Sequence, residues 1–157
     1  MSDTTVAGTG IGTTVVTQIG IVVKNIEKTA RAYADVFGVE VPPVILTDSV
    51  EKAHTQYYDE PSPAQAKLCF FHFGQVAIEL IEPVGRPSTW HDFLDAHGDG
   101  VHHIAFQIKG MDEKLAYLAG KDIPLIQGGD YTGGRYAYAD AEASLGVALE
   151  LLENFDR

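Results

Sequence analysis

Two stretches of this chain repeat one pattern of apolar and polar positions. QIGIVVKNIEKTARAYADVFG, from Gln18, lies over HIAFQIKGMDEKLAYLAGKDI, from His103, at an offset of 85 residues. Each opens with a short run containing β-branched residues, which predicts a strand. Each continues with apolar residues at i, i+4 and i+7, the stripe of an amphipathic helix. The stripe is Ile26, Ala30 and Tyr33 in the first copy and Met111, Leu115 and Leu118 in the second. Asn25 is placed to cap the first helix and Gly38 to stop it. A second self-match is sharper: VAIELIE (76–82) lies over VALELLE (147–153) at an offset of 71, with five of seven positions identical. Alternation predicts strands that put Ala77, Glu79 and Ile81 on one face, and Ala148, Glu150 and Leu152 likewise. A further strand precedes each, KLCFFHF (67–73) and RYAYAD (135–140), and a short helix over 89–97 follows the first copy, with Ser88 as cap and Gly98 as stop.

The plan is strand, helix, loop, strand, hairpin, strand, then a linking helix and the same again. It predicts an α+β fold of two βαβββ modules: residues 15–84, a linking helix in 85–100, and residues 101–157. Residues 1–14 are rich in Thr and Gly without apolar periodicity and read as a flexible tail. Gly8, Gly10 and Gly12 there do not make a phosphate loop, since no strand precedes them and no lysine follows.

Gln18 and Glu79 from the first copy, and His103 and Glu150 from the second, occupy equivalent places. An approximate twofold axis between the copies lets all four converge. One amide oxygen, two carboxylates and one imidazole suit a divalent first-row ion such as Zn, Ni, Co, Mn or Fe, with positions left for substrate. The alternative is a pair of solvated carboxylates at a strand edge. An inward Glu on an apolar strand is costly unless paired or liganded, and here two stand at matching sites. His102 and His103 are neighbours on a strand and should point to opposite faces. The repeat selects His103 for the site and leaves His102 outward or supporting it.

Composition narrows the partners. Eleven Lys and Arg against 22 Asp and Glu give a net charge of −11, which repels phosphate backbones and anionic membranes, so neither nucleic acid nor membrane is an expected partner. The longest aliphatic run, Ile19 to Val23, is far short of a membrane-spanning helix. No secretory signal pattern opens the chain. The single cysteine, Cys69, is expected to pack in the core and fits a reducing cytoplasm.

The segments QIGIVVKNIEKTARAYADVFGV, VAIELIEP, GDGVHHIAFQIKGMDEKL and GVALELLEN resemble the vicinal oxygen chelate superfamily, which includes glyoxalase I, bleomycin-resistance proteins, extradiol dioxygenases and methylmalonyl-coenzyme A epimerase. The likeness is nearest to the epimerase-like members and covers about residues 16–154. It implies a cupped, partly open mixed-sheet barrel, glyoxalase-like, around a divalent ion held by Gln18, Glu79, His103 and Glu150. It implies proton removal next to a carbonyl, with Glu150 as base and Glu79 as the quasi-symmetric alternative. The substrate would be a small oxygen-chelating carbonyl compound or acyl-thioester, and the assembly a homodimer. The alternatives are a glyoxalase I-like isomerase or lyase, and a ligand-sequestering protein of the same fold. Three departures bear on this. Gln18 replaces the histidine usual in epimerases, giving a set similar to glyoxalase I. Val22 stands where such glyoxalases carry an arginine for glutathione. Leu68 falls near the place of a second epimerase base.

Further substrate contacts are sought in the long segment 42–66, which reads as a covering loop with His54 and Tyr57, and in His72 on the strand 67–73. Arg135, in the glycine-rich stretch QGGDYTGGRYAYAD, is placed to pair with a substrate carboxylate, or else with a surface acid.

Overall fold

The computed structural model describes residues 10–155. The first module's elements are β1 (Gln18–Val22), α1 (Ile26–Phe37), β2 (Ile45–Leu46), α2 (Val50–Ala53), β3 (Gln56–Tyr57), β4 (Glu60–Pro61), β5 (Gln65–Phe73) and β6 (Val76–Val84). The linking helix is α3 (Thr89–His97). There follow β7 (Gly100–Gln107), α4 (Met111–Ala119), β8 (Leu125–Tyr131), β9 (Gly134–Ala139), α5 (Glu142–Leu145) and β10 (Ala148–Asn154). The strands form one mixed sheet in the order β2-β5-β6-β1-β7-β10-β9-β8-β3-β4.

The strand registers reproduce both sequence offsets. Parallel β1 and β6 place Gln18 beside Ala77 and Gly20 beside Glu79. Parallel β7 and β10 place His103 beside Ala148 and Ala105 beside Glu150. Antiparallel β1 and β7 join the halves at the centre, Gly20 opposite His103.

The sheet has to curl. Flat, β2 and β3 would stand eight strand spacings apart, about 38 Å. The chain from 46 to 56, with one helical turn, reaches about 27 Å. The segment 42–66 therefore ties the two edges together, β2 on β5 and β3 on β8.

Alternation sorts the faces. Cys69, Phe71 and Leu80 pack with Ile26, Ala30 and Ala34 of α1. Phe106, Ala137, Leu149 and Leu151 pack with Met111 and Leu118 of α4. Truncating a side chain as buried as Phe71, at 2% exposure, costs about 3–5 kcal/mol. The other face keeps Val22, Ala66, Ile81 and Tyr138 around Trp90 of α3, and leaves room for a cavity. Cys69 is buried as a core residue on the helix side of the sheet.

The expected caps form. Asn25 accepts from the Lys28 amide, Ser88 accepts from the His91 amide, and Gly38 ends α1 in the left-handed region. A second capping device was not anticipated. Glu82 accepts from the Ile26 amide at 2.9 Å, and its repeat mate Glu153 accepts from the Gly110 amide at 2.8 Å. Each brings its carboxylate to the positive end of its module's helix. Lys67 pairs with Glu82 and Arg135 with Glu153.

Residues 1–9 of the expected tail, Gly8 included, lie outside the described residues, while Ile11 packs against the α4 cluster. The glycine-rich stretch QGGDYTGGRYAYAD forms the hairpin of β8 and β9. There Gly134 makes room for the Tyr131 ring and the Glu153 carbonyl.

Candidate functional site

Glu79, His103 and Glu150 meet on the sheet face opposite α1 and α4. All three are buried, His103 completely. His103 Nε2 lies 3.3 Å from Glu79 Oε1 and 3.1 Å from Glu150 Oε1. Close as they are, these three atoms make no hydrogen bond. Buried polar atoms without partners are rare and costly. They point toward a common centre, and one atom from each residue lies within 4.8 Å of the others. The donor set, one imidazole and two carboxylates, is suited to a divalent ion.

The local sequence explains how the ring fits. A Cβ on Gly20 would fall 2.0 Å from Cε1 of the His103 imidazole, far inside contact distance. The repeat mate of Gly20 is Ala105, which faces Gln18 across the same strand pair. Glycine stands where the neighbour is a rigid ring, and alanine where it is a flexible amide.

Of the two places expected for His102, outward or supporting the site, the structure shows the second. Gly20 pairs with His103, but Ile21 pairs with Val101, so His102 is the extra residue of a bulge. The bulge breaks strand alternation and turns His102 inward, leaving it 3% exposed. Its Nδ1 lies 2.9 Å from Nδ1 of His103, and its Nε2 lies 3.2 Å from Thr89 Oγ1. The linking helix thereby steadies His103 through His102. Burial and the neighbouring His103 push His102 well below its ordinary value, which keeps it neutral. Burial alone would depress His103 too, but Glu150 and Glu79 outweigh it and push the ring up to about 10. Glu79 is raised by burial, then pulled back by His103.

A cavity of about 530 Å³ opens beside Glu79 and Glu150. Gln18 lines it from the same face of β1, two residues before Gly20. Leu68 and Phe70 of β5 and Tyr136 and Tyr138 of β9 stand at equivalent places along its two sides. Trp90 donates to the Tyr138 hydroxyl at 3.1 Å, and Gln127 donates to the Tyr136 hydroxyl at 3.2 Å. Burial holds both phenols above their ordinary values. Thr47, Asp48, Ala53 and Thr55 line the cavity from the segment 42–66.

The four residues expected at the substrate are placed elsewhere. His54 is exposed and pairs with Asp130 at 2.9 Å. Tyr57 donates to Asp92 and is absent from the lining. His72 shares the face of Phe70 but lies exposed near the end of β5. Arg135 is turned to the opposite face by β9 alternation, 2.9 Å from Glu153 and 3.4 Å from Asp112. The residues that do line the cavity include Tyr136 and Tyr138, whose spacing in RYAYAD carried the signal: they alternate with Arg135 and face Glu150 once the strands pair.

Comparison with known proteins agrees with this architecture. The profile of the Glyoxalase/Bleomycin resistance protein/Dioxygenase superfamily matches residues 17–138. An uncharacterized protein of Bacillus subtilis, YqjC, is 31% identical over 140 residues, covering 86% of this chain and 89% of that protein. The human mitochondrial methylmalonyl-CoA epimerase is 25% identical over 107 residues, covering 67% of this chain and 52% of that protein, so the match spans about half of the epimerase. Among solved structures, a Streptomyces coelicolor methylmalonyl-CoA epimerase in complex with 2-nitronate-propionyl-CoA superposes with a TM-score of 0.62 at 22% identity, covering 90% of this chain and 94% of the other. The profile and the B. subtilis relative together settle the family: the chain belongs to the glyoxalase/bleomycin resistance/dioxygenase superfamily.

Proposed function

We propose that the chain is a metal-dependent isomerase or epimerase that removes a proton next to a carbonyl of an oxygen-chelating substrate, in the manner of methylmalonyl-CoA epimerase. The observation that carries this is the convergence of three buried donor atoms that make no hydrogen bond, from Glu79, His103 and Glu150, beside a cavity. A divalent ion (Zn, Ni, Co or Mn) held by these residues, with Gln18 as the fourth ligand, would supply Lewis-acid polarisation of the carbonyl. The likeness to epimerases, one solved with an acyl-CoA compound, supports a carbonyl or acyl-thioester substrate.

Glu150 takes the proton, and Glu79 is the quasi-symmetric alternative for the same role. General-base help of this kind is worth about 10²–10⁴-fold. His102 keeps the His103 ring oriented, and the Trp90–Tyr138 pair keeps that wall closed to water. The matching registers of the two halves support their reading as duplicated modules, 15–84 and 101–157, joined by 85–100. Val36, Phe37, Val39 and Val41 are all exposed around the end of α1 and support a homodimer. The buried Cys69 agrees with a cytoplasmic setting.

The test is metal analysis of protein prepared without chelators, followed by exchange of solvent deuterium into 2-methyl-3-oxo acids and malonyl thioesters. Bound metal with exchange that Glu150→Gln abolishes is the expected result. Ligand binding without metal would replace this reading with sequestration.

A further inference from the structure

Resting on the proposed chelation of a two-oxygen head, we infer that the rest of the substrate is an uncharged, flat or aromatic body, and that the cavity rejects a second anionic group. Three observations carry this. The first is size. About 530 Å³ is much more than a three- or four-carbon chelating head fills, and is in the range that holds ligands of drug size.

The second is the wall. Phe70, Trp90, Tyr136 and Tyr138 present aromatic rings, with Leu68 and Leu152 beside them. Both tyrosine hydroxyls already accept hydrogen bonds from Gln127 and Trp90, which fixes the rings in place. Rigid aromatic surfaces of this kind stack on flat apolar ligands.

The third is charge. Among the described residues that line the cavity there is no lysine or arginine; its acids are Glu79 and Glu150, which the ion would neutralise, and Asp48 and Asp130, which stand 3.9 Å from Lys52 and 2.9 Å from His54. The cations of the neighbouring strands are turned away: Lys67 pairs with Glu82 and Arg135 with Glu153 on the opposite face. Lys109 and Lys114 line a separate groove that shares only Gln107 and Asn154 with the cavity. A carboxylate on the body of the ligand would be desolvated in a cavity whose lining offers it no lysine or arginine to pair with.

The experiment titrates zinc- or nickel-loaded protein with acetohydroxamate, benzohydroxamate and 4-carboxybenzohydroxamate by calorimetry. The three share one vicinal two-oxygen chelating head and differ only in the body. Benzohydroxamate is expected to bind at least about tenfold tighter than acetohydroxamate, from burial of the ring. Adding the 4-carboxylate is expected to cost about tenfold or more. Ile45 lines the cavity at 50% exposure, and Ile45→Lys is expected to narrow the carboxylate penalty several-fold. Equal binding of the first two probes overturns the apolar body. No carboxylate penalty, or a penalty that Ile45→Lys leaves unchanged, overturns the exclusion by charge. Acetohydroxamate reports on the head alone, so its failure to bind metal-loaded protein would overturn the chelation reading and this inference with it, while its binding separates the two.

Discussion

Substituting Gly20 with alanine is the sharpest perturbation the geometry offers, because it adds one methyl group where the His103 ring now lies. The added Cβ would overlap Cε1, Nδ1 and Nε2 of that ring. Carbon atoms settle at about 3.5–4.0 Å from their neighbours, so the ring must move by more than an ångström. It has little freedom to do so: His103 is 0% exposed, bonded at Nδ1 to His102 and packed against the Tyr138 ring at 5.0 Å between centroids. Overpacking of this sort costs about 1–3 kcal/mol of stability, a thermal midpoint lower by several degrees for a chain of this length. Metal affinity should suffer more than stability. Shifting the imidazole breaks both its own aim and its bond to His102, and losing such support alone costs about 10–100-fold. The assay pairs thermal denaturation of the ion-free protein with calorimetric titration of zinc or nickel. A folded Gly20→Ala variant with unchanged metal affinity would refute the placement of His103 at the centre.

Other predictions concern the support of the site. Replacing His102 with phenylalanine keeps the ring volume but removes the Nδ1 contact and the Thr89 contact; metal affinity should fall about 10–100-fold with the fold retained, as read by titration and circular dichroism. In the ion-free protein the carboxylates hold His103 protonated up to about pH 10, whereas a ligating imidazole is neutral. Metal uptake at pH 7.5 should therefore release at least one proton, measured as a dependence of the binding enthalpy on buffer; none released would contradict the assignment. The raised value also sets a sign: stability from protonated His103 is present below its unfolded value near 6.5 and is lost as pH rises through about 10. Glu153→Gln should cost about 1 kcal/mol in chemical denaturation by weakening the α4 cap, with metal affinity unchanged. Burial raises this carboxyl, but Arg135 and the Gly110 and Met111 amides hold it below its ordinary value. Its contribution is thus present above the unfolded carboxylate value and lost as pH falls through the folded one, so the variant's acid unfolding should be shallower.

The duplicated architecture was legible because apolar periodicity and capping residues are local signals. Asn25, Ser88, Gly38 and Gly98 end their helices where the pattern places them. The meeting of Glu79, His103 and Glu150 was legible because repeat register substitutes for three-dimensional information. What escaped was decided by pairing between distant strands. Arg135 looks like a ligand for a substrate anion until β9 alternation turns it toward Glu153. Whether His102 lies outward or supports the site is decided by the bulge opposite Gly20 and Ile21, which brings it against His103. Tyr136 and Tyr138 become cavity walls only when β9 pairs with β10, and from 42–66 the cavity is lined by residues such as Thr47, Asp48 and Thr55 rather than by His54 and Tyr57.

The central claim is that these three buried side chains hold one divalent ion. Anomalous diffraction from crystals grown with cobalt or zinc tests it most directly. The account predicts a single strong peak within bonding distance of Glu79, His103 and Glu150. A metal-replete crystal with no peak there, or with hydrogen bonds closing the three residues onto one another, would contradict it.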